Sequence, residues 1–277
     1  MSLILRLLNA IHNISPLFIP SIERGEDMKQ PVHRLLSLIT LLFFALTACL
    51  LVSCDRRAAE AKAAGNSTER EGITLIIDAG HGGADGGAVS LSGIKESEIN
   101  LEIALKLEQV MAFLGVPTVM TRTTEALDYS ASAHSIRDKK VEDQNRRLQM
   151  INGTKNAVLI SVHQNIFPDG SPSGAQVLYA DTTGSKELAE YMQKALIGAL
   201  NTHNRRSAAR IPKSVMLMNH IDCPAILIEC GFLSNAAEER LLQTDTYRLK
   251  IAAVIGAGCL ANRQNLNALY SGGTNEG

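Results

Sequence analysis

The chain reads as one α/β domain: a mostly parallel or mixed twisted sheet of about six strands, flanked by helices on both faces. Three features predict it. Short uncharged runs rich in Ile, Val and Leu alternate with segments whose apolar residues recur at helical spacing. The opening from Ile73 to Thr121 is strand, helix, strand, a βαβ unit that calls for a parallel pair. The first strand also breaks off into a glycine-rich turn, as a chain does when it leaves the edge of a sheet.

Ile73 to Asp78 is a short buried strand, uncharged until its last residue. Gly80, Gly82, Gly83, Gly86 and Gly87 let the chain turn and leave His81 uncrowded at the strand's C-terminal end. In open α/β sheets that edge is where ligands bind. Glu96 to Leu114 is a helix, with Ile99, Ile103, Leu107, Val110, Met111 and Leu114 on one stripe and Gly115 as its stop. Pro117 to Thr121 is the next strand, and Arg122 to Asp138 a polar surface loop. Glu142 to Asn152 forms a short helix with Leu148 and Ile151 inward and Arg146 and Arg147 outward.

Ala157 to Val162 is an uncharged strand that ends in His163-Gln164-Asn165. Ala175 to Ala180 is a strand, and Lys186 to Leu200 a helix with Leu188, Met192, Leu196 and Leu200 in line. Ser214 to Met218 is expected as a short strand, and Pro224 to Ile228 as one that ends in Glu229. Helices over Glu238 to Gln243 and Tyr247 to Ala261 close a domain spanning 73–265. Residues 266–277 are read as a disordered tail, polar and Gly-rich from Ser271 on.

Ahead of the domain, Leu35 to Ser53 is uncharged and long enough to cross a bilayer, with Lys29, His33 and Arg34 before it. Residues 1–34 are then an extension and basic flank, and 35–54 an export signal or membrane anchor. Leu51-Val52-Ser53-Cys54 also fits a bacterial lipoprotein signal in which Cys54 carries the lipid; Cys49 fits less well because apolar residues would follow the cut. Both readings place the domain outside the cytoplasm, on a charged, Ala-rich linker over 55–72. Met28-Lys29 looks like a natural signal-sequence start, which makes the first 27 residues an over-called start or an extension. With 27 basic against 28 acidic residues, the chain lacks the basic excess of a nucleic-acid binder. Its five cysteines form no Cys-x-x-Cys pair and no disulfide framework.

Three strands thus end in an ionisable residue, His81, His163 and Glu229, and Glu96 opens the helix after the glycine loop. Two histidines and a carboxylate are the ligand set of a catalytic zinc that keeps a position open. Such an ion lowers the pKa of bound water to about 7 and polarises a carbonyl. A further carboxylate can take the water's proton and hand it to a leaving amine. His81, Glu96 and His163 around Zn²⁺, with Glu229 as base, would make an amide hydrolase. Ordinary roles compete. A histidine at a strand end is commonly a satisfied polar residue, and Glu96 in a first turn complements the helix dipole by about 0.3–1 kcal/mol. Glu98 is equally close, and Glu229 could be a paired structural carboxylate. A nucleotide site would need a phosphate-binding Lys or a Gly-x-Gly-x-x-Gly opening a helix. Here the loop contains a histidine and the helix starts well after it.

Ile76-Ile77-Asp78-Ala79-Gly80-His81-Gly82-Gly83, with Asp85 and Gly87-Ala88, resembles the opening motif of the zinc-dependent N-acetylmuramoyl-L-alanine amidases of the Amidase_3 type. Gly93 to Leu101 resembles their second motif, Met120-Thr121-Arg122 their strand ending in Thr-Arg, and Ser161 to Asn165 their Ser-Ile-His-x-Asn. Pro224 to Asn235 is similar to the segment with their catalytic glutamate. The resemblance runs in order from Ile73 to about Leu260. It implies His81, Glu96 and His163 as ligands of one zinc per chain, Glu96 in preference to Glu98, and Glu229 as the catalytic residue. It further implies hydrolysis of the amide between N-acetylmuramic acid and L-alanine of the stem peptide, and a mixed sheet wrapped by helices. Ala79 and Gly86 stand where the family usually has Pro, which touches loop stiffness and not the ligands.

Within the family the look is that of the spore-cortex amidases of the CwlD type, through the compact plan, the anchor, Glu-Cys-Gly-Phe-Leu-Ser-Asn and Asn204-Arg205-Arg206. That implies muramic-lactam formation in the forespore intermembrane space. A vegetative cell-separation amidase is the alternative, and a non-catalytic peptidoglycan-binding module a more distant one. No spare segment between His163 and Glu229 matches the plugging helix of some members, and cell-wall-binding repeats are missing. The implied partners are the glycan strand with its stem peptide, the membrane, an accessory protein of unspecified kind, and no nucleic acid. Asp78 and Asp85 are candidates for accepting an imidazole N–H from a ligand, with a plain turn role preferred for Asp85. Arg122 and Asn165 are candidates for touching substrate, beside structural roles. Cys230 should point away from Glu229 into the core, and His134, His203 and His220 into solvent.

Overall fold

The computed structural model describes residues 72–271. The expected flank, anchor and most of the linker, and the end of the tail, lie outside the described residues. Among those described, no helix is long and apolar enough to cross a membrane.

Twelve elements follow one another: β1 (Thr74–Ala79), α1 (Glu96–Phe113), β2 (Thr118–Met120), α2 (Ile136–Asn152), β3 (Ala157–Asn165), β4 (Gln176–Tyr179), α3 (Ser185–Leu200), β5 (Ala209–Arg210), a 3₁₀ turn (Leu217–Asn219), β6 (Ala225–Phe232), α4 (Ala236–Leu242) and α5 (Asp245–Ser271). The six strands form one sheet in the order β2-β1-β3-β6-β4-β5. Neighbours are parallel throughout except β4, which runs antiparallel to β6. This is the mixed α/β sheet expected from the pattern.

Alternation along the strands builds two cores. Leu75, Ile77, Ala79, Val158, Ile160, Val162, Ile226, Ile228 and Cys230 pack with α1, α3 and α5 on one face. Ile76, Leu159 and Leu227 pack on the other with Ile151 of α2 and Leu217 and Met218 of the 3₁₀ turn. By the same alternation Asp78, Ser161, His163 and Glu229 share the second face, in adjacent registers: Asp78 opposite Ser161, His163 opposite Glu229.

Several boundaries differ from expectation. Ser214 to Met218 is no strand; the chain makes a 3₁₀ turn at Leu217–Asn219, and the short edge strand is Ala209–Arg210. α2 begins at Ile136, inside the expected loop, because Ser135 and Asp138 form a reciprocal capping box. β6 does not stop before Glu229 but carries it mid-strand. α5 runs to Ser271, past the expected tail boundary at residue 265. Leu266 is buried there, Asn267 Oδ1 accepts the Ile73 N–H, and Tyr270 Oη donates to the Ala157 carbonyl. Arg147, expected outward, is buried.

Candidate active site

The loop after β1 carries His81 over the C-terminal edge of the sheet. His81 itself adopts φ 59°, the left-handed region that non-glycine residues seldom occupy. Two glycines make room. A Cβ on Gly80 would fall 2.3 Å from the His163 ring, and one on Gly87, at φ +68°, would fall 2.5 Å from Glu96 Oε2. The loop then supplies the first turn of α1 with acceptors: the Glu96 and Ser97 N–H groups donate to the Ala88 and Gly86 carbonyls. That contact delivers Glu96 beneath the histidines.

Three side chains converge. Glu96 Oε2 is 3.4 Å from His81 Nε2, and Glu96 Oε1 is 3.0 Å from His163 Nδ1. One ligand atom from each residue lies within 4.8 Å of the other two. The two imidazoles meet edge to face, with centroids 5.0 Å apart. The Glu96 carboxylate is almost fully buried and fixed by further donors: the Ala88 N–H on Oε2, and Asn100 Nδ2 and the Gln164 N–H on Oε1. Burial would raise its pKa, but the His163 hydrogen bond, both imidazoles and the Ala88 N–H outweigh that and hold it at about 2. Burial pushes the His163 imidazole down, yet the Glu96 bond and charge prevail and raise it.

These residues fit a divalent ion. Ligands about 2.0–2.1 Å from a tetrahedral zinc stand roughly 3.4 Å from one another, close to the separations of Glu96 from the two ring nitrogens. The far nitrogen of His81 is also engaged: Nδ1 meets Asp85 Oδ2 at 3.0 Å, the arrangement that orients a ligand imidazole. Asp85 is thus the imidazole acceptor rather than a plain turn residue. The same oxygen takes Lys140 Nζ at 2.8 Å, and Oδ1 takes the Gly87 N–H at 3.3 Å. The His81 bond first, and then Lys140, outweigh burial and hold the Asp85 carboxyl well below the usual range.

Glu229 lies beside His163 on the neighbouring strand, and its buried Oε2 has no hydrogen-bond partner among the described residues. Burial drives its pKa up to about 7; the charge of Glu96 adds to this, against His163 and His81. Cys230 faces the opposite core as expected, and His134, His203 and His220 are exposed. A cleft of about 290 Å³ opens at the cluster, between Lys140, Asp143 and Gln144 of α2 and the segment from Ser214 to Met218, with Glu229 in its wall.

The remaining candidates have other work. Asp78 does not reach an imidazole; its carboxylate accepts from Arg147, Thr121 and Ser161. Arg122 spends its guanidinium N–H groups on the carbonyls of Ala79, Gly80, Ser97 and Thr124 and on Glu125, so none is free for a substrate. Asn165, half-buried, folds its Oδ1 back onto the Ile166 N–H. Neither Arg122 nor Asn165 lines the cleft. Sequence reasoning missed Asn100 and Arg147. Asn100 sits one helical turn after Glu96, a spacing that could have flagged it. Arg147 gave no signal, since nothing in its polar helix marks one arginine as buried.

A sheet edge that gathers two histidines and a carboxylate, with a second carboxylate in the cleft beside them, is a residue set that could hold a cation and suits a hydrolase. The N-acetylmuramoyl-L-alanine amidase (Amidase_3) family model matches residues 75–261, and the chain belongs to that family. It is 33% identical over 190 residues to the germination-specific N-acetylmuramoyl-L-alanine amidase of Bacillus subtilis, a match covering 68% of this chain and 79% of that protein. The LytC amidase of the same organism is 29% identical over 69% of this chain but only 35% of its own length. Among solved structures, the CwlD amidase of Clostridioides difficile, in complex with the GerS lipoprotein, superposes with a TM-score of 0.65 at 34% identity, over 71% of this chain and 99% of that one. The catalytic domain of CwlV from Bacillus (Paenibacillus) polymyxa var. colistinus gives 0.58 at 26% identity, over 70% and 99%. The protein is a peptidoglycan amidase.

Proposed function

We propose that the chain uses one zinc ion, held by His81, Glu96 and His163, to cleave the muramoyl–L-alanine amide of spore-cortex peptidoglycan outside the cytoplasm. The observation that carries this is the convergence of three ligand-type atoms within 4.8 Å beside Glu229, whose buried Oε2 has no hydrogen-bond partner among the described residues. When bound there, zinc supplies a Lewis acid for the amide carbonyl and makes water acidic enough to attack near neutral pH. Glu229 moves the proton. Raised to about 7, its carboxyl can accept a proton from the attacking water and donate it to the departing L-alanine nitrogen. Asp85 keeps the proton of His81 on Nδ1, so that Nε2 presents its lone pair to the ion. The cleft walls formed by α2 and by Ser214 to Met218 would take the sugar and the stem peptide on either side of the scissile bond.

The cortex assignment is supported by the likeness to the germination-specific amidase and to CwlD. Delivery through a membrane anchor or a lipid on Cys54 belongs to the same reading. Action on vegetative wall is the second reading, since the chain also matches LytC, an N-acetylmuramoyl-L-alanine amidase of the same Bacillus, over 69% of its length. Digestion of purified cortex and vegetative peptidoglycan by the zinc-loaded protein, followed by mass spectrometry, tests both. Free stem peptides with an L-alanine N-terminus are expected, released faster from cortex. Release mainly from vegetative wall would select the second reading, and no release from either substrate would overturn both. Glu229→Gln should bind zinc yet lose at least about 10²-fold in turnover.

A further inference from the structure

The loop that carries His81 is gripped from two sides by buried guanidinium groups. Arg122, at the end of β2, donates Nε to the Ala79 carbonyl at 2.9 Å and Nη2 to the Gly80 carbonyl at 3.1 Å. Arg147, from α2, donates Nη1 to the Ala79 carbonyl at 2.7 Å and Nη2 to the His81 carbonyl at 2.5 Å. Three consecutive carbonyls are therefore held by two side chains exposed by only 1% and 4%. Arg147 is itself fixed at both ends of its fork, Nη1 on Asp78 Oδ1 at 2.6 Å and Nε on Asp143 Oδ2 at 2.8 Å. Neither arginine touches the cluster's ligand atoms.

A buried charge is costly, and an apolar pair of similar volume commonly serves stability as well or better. The grip is also more than the fold of β1 requires, because β1 already pairs with strands on both sides. What the two forks add is control over the residues just past the strand, where His81 sits at φ 59°. A left-handed histidine can relax by rotating its peptide, and that rotation would carry the ring away from Glu96. A guanidinium bonded to the His81 carbonyl, and to the carbonyl two residues earlier, opposes it. Arg147 can do this and Lys cannot, since one ammonium cannot span Asp78, Ala79 and His81 in a plane.

We propose that Arg147 is a positioning residue for His81: it locks the loop so that Nε2 faces the Glu96–His163 pair before any ion arrives. The inference rests on the zinc reading above. It is tested in the full chain with two variants, Arg147→Lys, which keeps the charge, and Asp78→Asn/Arg147→Met, which removes the buried Asp78–Arg147 pair and leaves Asp143 its ion pair with Arg146. The readouts are zinc affinity by chelator competition, the visible spectrum of the cobalt(II)-substituted protein, and folding by circular dichroism. Both variants are expected to fold, to bind zinc about 10–100-fold more weakly, and to show a changed cobalt spectrum, whereas Lys213→Met, at an exposed residue outside the cleft, should match wild type. Folded variants with wild-type zinc affinity and spectrum would overturn the proposal, as would loss of folding in both, which would assign Arg147 to the fold alone. Failure of the wild-type protein to bind zinc would be distinct: it would overturn the zinc reading, and this inference with it.

Discussion

Asp78 is 1% exposed, yet Arg147 Nη1, Thr121 Oγ1 and Ser161 Oγ all donate to its carboxylate. Burial alone would raise its pKa; Arg147 and the two hydroxyls reverse the sign and hold it at about 2. A folded pKa below the unfolded value of about 4 contributes stability that is complete above pH 4 and drains away as the pH falls through 2. At about 1.4 kcal/mol per unit, the contribution is on the order of 2 kcal/mol. Urea unfolding should therefore show wild type losing about 2 kcal/mol more between pH 5 and pH 2 than Asp78→Asn/Arg147→Met. Parallel losses would place the acid sensitivity elsewhere. At this scale the sequence was informative where chemistry is singular and silent where it is shared. His81, His163 and Glu229 stood out because each is an ionisable residue following an apolar strand. Asp85, a candidate acceptor, reads first as a turn residue and Arg147 as a surface one, because an Asp among glycines suits any turn and an Arg in a polar helix suits any surface. Only the fold decides which of them turns inward.

Elements with a regular apolar period were legible almost to the residue. α1 was expected over Glu96 to Leu114 and spans Glu96–Phe113, and α3 gains one residue at its start. The misread elements are those that tertiary contacts hold in place. α2 buries only Arg147 and Ile151, so it has no apolar stripe to find, and its true start is marked only by the Ser135–Asp138 box. The last turns of α5 contain Asn265 and Asn267, weak helix formers. They stay helical because Leu266 is buried and Asn267 and Tyr270 hold the starts of β1 and β3. These turns belong to the folded unit and not to a tail. Ending the chain after Asn265 should then cost at least about 2 kcal/mol in urea unfolding, from loss of the Leu266 side chain alone. Ending it after Ser271 should leave stability unchanged. Equal stability of the two truncated chains would return residues 266–271 to the tail.

For the molecule as a whole, metal binding and folding should be one equilibrium. The four site residues come from β1's loop, α1, β3 and β6, separated by up to 148 positions between His81 and Glu229. An unfolded chain cannot bring them together, so an ion that binds the folded state stabilises it by about RT ln(1 + [L]/Kd), near 2.7 kcal/mol at a hundredfold excess over Kd. For a domain of this size that is roughly 5–10 °C in Tm. The arrangement divides the site residues into two sets. His163→Ala removes an imidazole that faces Glu96, and its Tm should not respond to zinc. Glu229→Gln removes a carboxyl that makes no bond to the cluster's ligand atoms, and its Tm should rise with zinc as the wild type's does, although turnover is lost. Thermal unfolding with zinc and with chelator separates holding the ion from moving the proton, with no substrate present. A Tm of Glu229→Gln that ignored zinc would make Glu229 a ligand, and the proton would then need another carrier.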